Sequence, residues 1–153
     1  MYMNLDSSSA GPLAGVRVLE LGQLIAGPFC GQMLGDFGAD VIKIETVGDG
    51  DPMRKWGISV DGRSLSWAVI ARNKRSIAID LRSDEGRGLA LELAAQSDIV
   101  VENFRVGTLE RLGLGWDVLH AQNPRTVLVR ISGFGQDGPY AERAGFGSIG
   151  EAM

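Results

Sequence analysis

The sequence has one cysteine, Cys30, and one histidine, His120, among 153 residues. A lone thiol excludes an internal disulfide and fits a reducing compartment. One Cys and one His give too few ligands for a structural zinc, and no metal is expected. Neither sign of charge is in large surplus. Lys and Arg number 15, Asp and Glu 19, and the formal net charge is −4. That balance argues against nucleic acid or an anionic membrane as partner. No apolar run is long enough to span a bilayer. The opening MYMNLDSSSAGP has no basic stretch and no apolar core, so it does not read as a signal peptide. Residues 1–10 are read as a flexible tail, and the protein as cytoplasmic. No internal repeat or low-complexity tract is seen.

What is present is an ordinary globular composition, 44% hydrophobic and 22% charged, with a strong segment pattern. The segment GVRVLELGQLIAGPFCGQMLGDFGADVIKIE, from Gly15 to Glu45, organises the rest. Val16, Val18, Leu19 and Leu21 suit a short buried parallel strand. A loop follows from Gly22 to Gly27. Pro28 then marks the start of a helix, where its missing N–H costs nothing. Phe29, Met33, Leu34 and Phe37 recur at helical spacing, and Gly38 takes the position after the helix end. Val41, Ile42 and Ile44 form a second strand. Strand, helix, strand is a βαβ unit with a right-handed crossover.

The remainder continues the alternation. Thr46 to Ser64 reads as a long loop, and long loops in compact domains are often functional. Leu65 to Arg72 suits a short helix with Leu65, Ala68 and Val69 turned inward. Ser76 to Asp80 alternates as a third strand. Ser83 reads as a cap, with Asp84 and Glu85 at the positive end of the next helix. Leu89, Leu93 and Ala94 give that helix its apolar stripe. Ile99 to Val101 is a fourth strand, two short helices precede Asn123-Pro124, and Thr126 to Ile131 is a fifth. The class is therefore α/β, a Rossmann-like open parallel sheet flanked by helices. Phe146 to Met153 reads as the first turns of a helix, and the sequence as a fragment of a longer protein.

Open α/β sheets bind ligands at the carboxyl ends of their strands, and helix N-termini there favour anions. Gln23 to Phe29 and Glu45 to Arg54 are the first candidate segments. The first loop lacks the Gly-Lys-Ser/Thr of a Walker A, and Gly22 and Gly27 lie too far apart for a dinucleotide fingerprint. A purely structural turn fits these residues equally well. Gly133, Gly135 and Gly138 do match G-x-G-x-x-G. Pro139-Tyr140 follows instead of a helix start, so a structural or substrate-side glycine loop fits better. Arg72, Lys74, Arg75, Arg82, Arg105 and Arg111 are read as a cluster for phosphates, against a plain solvated surface. Asn103-Phe104 offers an amide and a ring directly after a buried strand. Cys30, near a helix start, is open to a lowered pKa, though a structural thiol is the simpler reading. His120 reads as a packing or surface residue. Asp36, Asp40, Asp49 and Asp51 are acidic candidates for nucleophilic or acid–base work, none set apart. The residues alone reach an α/β domain with an anionic ligand.

Taken together, the segments resemble the family III CoA-transferases, a family that includes formyl-CoA transferases, carnitine CoA-transferases and α-methylacyl-CoA racemases. The matching pieces are LAGVRVLE from Leu13, AGPF from Ala26, LGDFGADVIKIE from Leu34 and GDGDPMR from Gly48. NKRSIAIDL from Asn73, ENFRVGTLERLGL from Glu102, NPR from Asn123 and SGFGQDGPY from Ser132 complete the set. They occur in family order and spacing from about Gly11 to Met153. The resemblance implies that residues 11–153 are the N-terminal, Rossmann-like CoA-binding domain of a larger chain that forms an interlocked homodimer. It implies an acyl-CoA and a carboxylic acid as substrates. CoA contacts would fall on Ile25 and Ala26, Ile79 and Arg82, Asn103 and Phe104, and Arg111. The family's catalytic aspartate would lie beyond Met153. Position 46, often Arg in formyl-CoA transferases, is Thr46 here. The racemases place His where this chain has Phe146, and formyl-CoA transferases place Glu where it has Gly147. Both departures point away from those chemistries, and the A-G-F-G-S-I-G-E-A-M ending resembles members acting on dicarboxylic acids such as succinate.

Overall fold

The computed structural model describes residues 11–147 and Ala152. The expected tail at 1–10 and most of the expected helix after Phe146 lie outside the described residues. Five strands form one parallel sheet: β1 (Arg17–Glu20), β2 (Asp40–Glu45), β5 (Lys74–Ala78), β6 (Ile99–Glu102) and β7 (Val127–Arg130). Their order is β5-β2-β1-β6-β7. The chain steps outward from β1 to β2 to β5, then crosses back to lay β6 on the other side of β1. This reversal between β1 and β6 is the switch point at which doubly wound sheets open a crevice.

Helix α1 (Ala26–Asp36) connects β1 to β2, and α3 (Asp84–Ala95) connects β5 to β6. The short helices α4 (Thr108–Arg111) and α5 (Trp116–Gln122) lead to β7. Side chains alternate along β1. Leu19 and Leu21 join Ile44, Val100, Ala90, Leu114 and Leu119 in the larger core. Val18 joins Val41 and Val101 on the other side, where Leu34 and Cys30 pack. Ser83 caps α3 by accepting from the Gly86 N–H at 3.0 Å, as its place in the sequence implied.

The helix faces differ from the sequence reading. Helix α1 begins at Ala26, two residues before Pro28. It buries Gly27, Pro28, Gly31, Gln32 and Gly35, while Phe29, Met33 and Phe37 are exposed. Helix α3 buries Gly86, Ala90 and Ala94 and packs Leu93 against the core, so of the expected stripe only Leu89 lies outside. A Cβ built on Gly31 would lie 1.9 Å from Glu20 Oε2. Large residues stand on the strand ends, so the helices approach through their small residues. In α2 (Leu65–Ile70), Leu65, Ala68 and Val69 are exposed and only Ile70 is buried.

The loop after β2 also has more structure than expected. A 3₁₀ turn spans Pro52–Lys55, and β3 (Ser59–Val60) pairs antiparallel with β4 (Arg63–Ser64). Asp61 and Gly62 between them both have positive φ, +49° and +73°. That is the Asp-Gly hairpin turn, a signal present in the sequence.

Candidate functional site

The three central strands all end in a buried glutamate. Glu20 closes β1, Glu45 closes β2 and Glu102 closes β6. None stands free. Lys43 donates to Glu20 Oε1 at 2.9 Å and to the Gly22 carbonyl at 2.6 Å. Its ammonium lies 2.8 Å from Asp51 Oδ2. Lys74 lies 2.7 Å from Glu20 Oε2 and donates to the Pro28 carbonyl at 2.6 Å. Two carboxylates and two ammoniums thus form a neutral cluster under the start of α1. Burial lowers the Lys74 pKa, opposed by the charge of Glu20 beside it.

Glu45 accepts from Arg54 Nε and Nη2 at 2.6 and 2.7 Å, from the Asp51 N–H at 2.8 Å and from the Ser76 hydroxyl. Burial pushes its carboxyl up, but these hydrogen bonds outweigh burial and hold the pKa at about 2. Glu102 accepts from the Phe104 N–H at 2.7 Å and from Arg130 at 2.8 Å, and Arg130 reaches on to Glu110. The glutamates therefore tie the loops at the carboxyl edge to the sheet. Sequence reasoning opened a candidate segment at Glu45 but gave none of the three glutamates a role. The available signal was an acidic residue closing a strand with lysines and arginines on its neighbours.

Against this frame cavities open along the carboxyl edge, and three of them bear on the implied contacts. The first, of ≈ 220 Å³, includes Ala26, Asn103, Phe104, Arg105 and Phe146 in its wall. The second, of ≈ 420 Å³, includes Gln23, Thr46, Ile79, Arg82 and Phe104. The third, of ≈ 440 Å³, includes Leu24, Ile25, Ala26, Trp56, Asn103 and Phe146. They share walls: Phe104 belongs to the first two, and Ala26 and Asn103 to the first and third. Six of the seven residues implied as CoA contacts line this run of cavities. Arg111 lines none of the three. It lies on α4 and donates to Thr108 Oγ1 at 2.7 Å, and Thr108 does line the second cavity.

Asn103 is held in a particular way. Its Oδ1 accepts from the Gln23 N–H at 2.8 Å and its Nδ2 donates to the Gln23 carbonyl at 3.0 Å. Gly22 and Gly27 make room for it. A Cβ on either would lie 2.6 or 2.8 Å from Asn103 Oδ1. The two glycines serve this clamp rather than a phosphate turn.

Several sequence readings need correction. Lys74 and Arg75 open β5 at the amino edge of the sheet, and the Lys74 ammonium is taken up by buried Glu20 and the Pro28 carbonyl rather than offered to the cavities. Arg72 pairs with Asp36 at 2.5 Å and Arg75 with Asp40 at 2.6 Å, so the six basic residues are not one cluster. Arg82, Arg105 and Arg111 have no carboxylate partner among the described residues. Asp36, Asp40, Asp49 and Asp51 are all paired, with Arg72, Arg75, Lys55 and Lys43. The Cys30 thiol is raised, by burial first and the Glu20 charge second, which is opposite to an activated thiolate. His120 stacks on Trp116 at 4.8 Å between ring centroids. Gly133 meets Gly145 backbone to backbone, and turns and bends, not a helix, directly follow the glycine run at residues 139–143. Among the described residues no group of three or more His, Cys, Asp or Glu is placed to hold a metal, and no helix is long and apolar enough to cross a membrane.

A doubly wound sheet with a crevice at its switch point, a helix N-terminus at its open edge and arginines without carboxylate partners is the class of fold the chain builds. Residues 13–153 match the family model described as CoA-transferase family III, and the chain belongs to that family. It is 63% identical over 143 residues to the succinyl-CoA–D-citramalate CoA-transferase of Chloroflexus aurantiacus, covering 93% of this chain and 36% of that protein. It is 46% identical over 149 residues to the succinate–glutarate CoA-transferase of Agrobacterium fabrum, covering 93% and 37%. A solved CAIB/BAIF family protein from Brucella suis superposes with a TM-score of 0.88 at 45% identity, covering 94% of this chain and 39% of that one. The chain thus spans little more than a third of the length of these relatives.

Proposed function

We propose that the protein carrying this chain transfers CoA from succinyl-CoA to a second dicarboxylic acid of the citramalate, malate or glutarate kind. The observation that carries this reading is the 63% identity to a transferase named for succinyl-CoA and D-citramalate. The unpaired arginines and the run of cavities at the carboxyl edge support it. In this reading Ile25 and Ala26 offer backbone N–H groups at the start of α1. Ile79 and Phe104 bracket the adenosine end with apolar surface, Arg82 and Arg111 meet phosphates, and Asn103 holds the Gln23 turn in place.

The chemistry implied by the family resemblance uses an aspartate beyond Met153. Its carboxylate attacks the succinyl carbonyl, the C–S bond breaks, and a mixed anhydride and CoA thiolate form. The thiolate attacks the aspartyl carbonyl, releasing succinate and leaving an aspartyl-CoA thioester. The acceptor carboxylate attacks that thioester, expelling CoA thiolate and forming a second anhydride. The thiolate then takes the acceptor's acyl group and frees the aspartate. Each step replaces one hard exchange with an easier acyl transfer. Phe146, in the wall of two of the cavities, has no titratable group, so it supplies no α-proton exchange of the racemase kind.

A second copy of the chain is part of this proposal. Ile25, Phe29, Met33 and Phe37, four residues apart along one side of α1, are all 41–52% exposed. An apolar stripe of this kind is the mark of a surface covered in an assembly. Denaturing intact mass of the full-length protein after mixing with succinyl-CoA tests the catalytic reading. A gain of one CoA is expected, and its absence on an active, folded protein contradicts the thioester route.

A further inference from the structure

One buried acid has no part in the chemistry above. Asp51 is 1% exposed and lies 27 residues from the turn it touches. Its carboxylate accepts from the Leu24 N–H at 3.2 and 3.3 Å and from the Met53 N–H at 2.8 Å, and lies 2.8 Å from the Lys43 ammonium. Leu24 has φ +63°, a left-handed backbone that a leucine adopts only when its surroundings impose it.

The turn is clamped residue by residue. Asn103 takes both backbone groups of Gln23, and Asp51 takes the N–H of Leu24. The next two N–H groups, of Ile25 and Ala26, have no acceptor among the described residues. Both residues line the cavities. The chain is thus fixed up to the point where its donors become available, and the fixing charge is itself fixed by Lys43, Glu20 and Lys74.

We propose that Asp51 is a positioning residue for the acyl-CoA, holding Leu24 in its left-handed turn so that the Ile25 and Ala26 N–H groups stay presented to the ligand. This inference rests on the CoA-transferase reading of the site. Asp51 does not touch substrate. It acts through Leu24, and its ammonium partner Lys43, 2.8 Å away, holds the carboxylate in place.

The test is calorimetric titration of the full-length protein with CoA, together with steady-state kinetics on succinyl-CoA. Asp51→Ala is expected to raise the Kd for CoA and the KM for succinyl-CoA at least tenfold, with kcat changed less than threefold. Leu24→Gly added to Asp51→Ala is expected to restore at least threefold of the lost affinity, because glycine takes a positive φ without strain. Where Asp51→Ala leaves Lys43 uncompensated and the protein does not fold, Lys43→Met with Asp51→Ala keeps the cluster neutral and carries the same measurement. CoA affinity within twofold of the parent in the folded Ala variant overturns the proposal. So does a lost affinity that Leu24→Gly does not restore, since Asp51 would then serve the fold alone. Failure of the parent protein to bind CoA overturns the transferase reading itself, and is told apart by the absence of any heat before a residue is changed.

Discussion

Glu45 shows how single residues hold this edge of the sheet. Its carboxyl is held at about 2, below the ordinary 4.5. The folded state therefore binds fewer protons than the unfolded state between those values. The stabilisation is complete above pH 4.5 and is lost as the pH falls toward 2. Glu45→Gln is expected to lower the melting temperature at pH 7 and to flatten its fall between pH 4.5 and 2, read by thermal denaturation across that range. Gly31 gives a second residue-scale expectation. A methyl there meets Glu20 Oε2, which is pinned between two lysines, so nothing nearby is free to yield. Gly31→Ala is expected to destabilise the fold by about 3 kcal/mol, the upper range for an overpacked core, as measured by denaturant midpoint. Arg82 stands unpaired at the second cavity. Arg82→Ala is expected to weaken CoA binding about tenfold, the loss of one charge-assisted phosphate contact, and most strongly at low salt. Unchanged affinity would remove Arg82 from the site.

At the scale of elements, strand-forming runs and caps were readable because each rests on local chemistry. Val18-Leu19, Val41-Ile42 and Val100-Val101 are short apolar runs between turn signals, and all are buried strand residues or close to it. Ser83 and Gly38 mark helix ends by hydrogen bonding and by backbone freedom, and both do so here. The helix faces were misread because the rule that large apolar residues face inward assumes room beneath the helix. Under α1 that room is taken by Glu20 and Lys74, so glycines face in and Phe29, Met33 and Phe37 face out. The site was legible in part. Ile25, Ala26, Asn103 and Phe104 stand out by their places at a helix start and a strand end, while Ile79, Arg82 and Arg111 were singled out as contacts by the family resemblance, and all but Arg111 line the cavities. Asp51 was read only as one acidic candidate among four, because its contact with Leu24 across the sheet edge is one that no local pattern records. The outward stripe of α1 gives the prediction at this scale. Phe29→Ser is expected to change the stability of the subunit by less than about 0.5 kcal/mol while weakening self-association, read by sedimentation. A loss of several kcal/mol with association intact would place Phe29 in the core instead.

At the scale of the whole molecule, the five-stranded sheet carries a run of cavities along its carboxyl edge, and none of the nucleophile candidates read from the sequence stands free there. Each of the four candidate aspartates is paired, and the thiol is raised rather than activated. The chain's part in the proposed reaction is to hold and orient the CoA ester, and the covalent steps belong to residues outside it. Such a division suits a group-transfer enzyme, in which most of the rate comes from keeping the thioester carbonyl in line with a weak nucleophile. The most direct test is to incubate the full-length protein with succinyl-CoA and D-citramalate, L-malate or glutarate, and to follow the thioesters by chromatography with mass detection. The account predicts a new acyl-CoA of the added acid, with succinate released in equal amount and no net free CoA. Hydrolysis of succinyl-CoA without a new thioester, or no change with any acid, would contradict it.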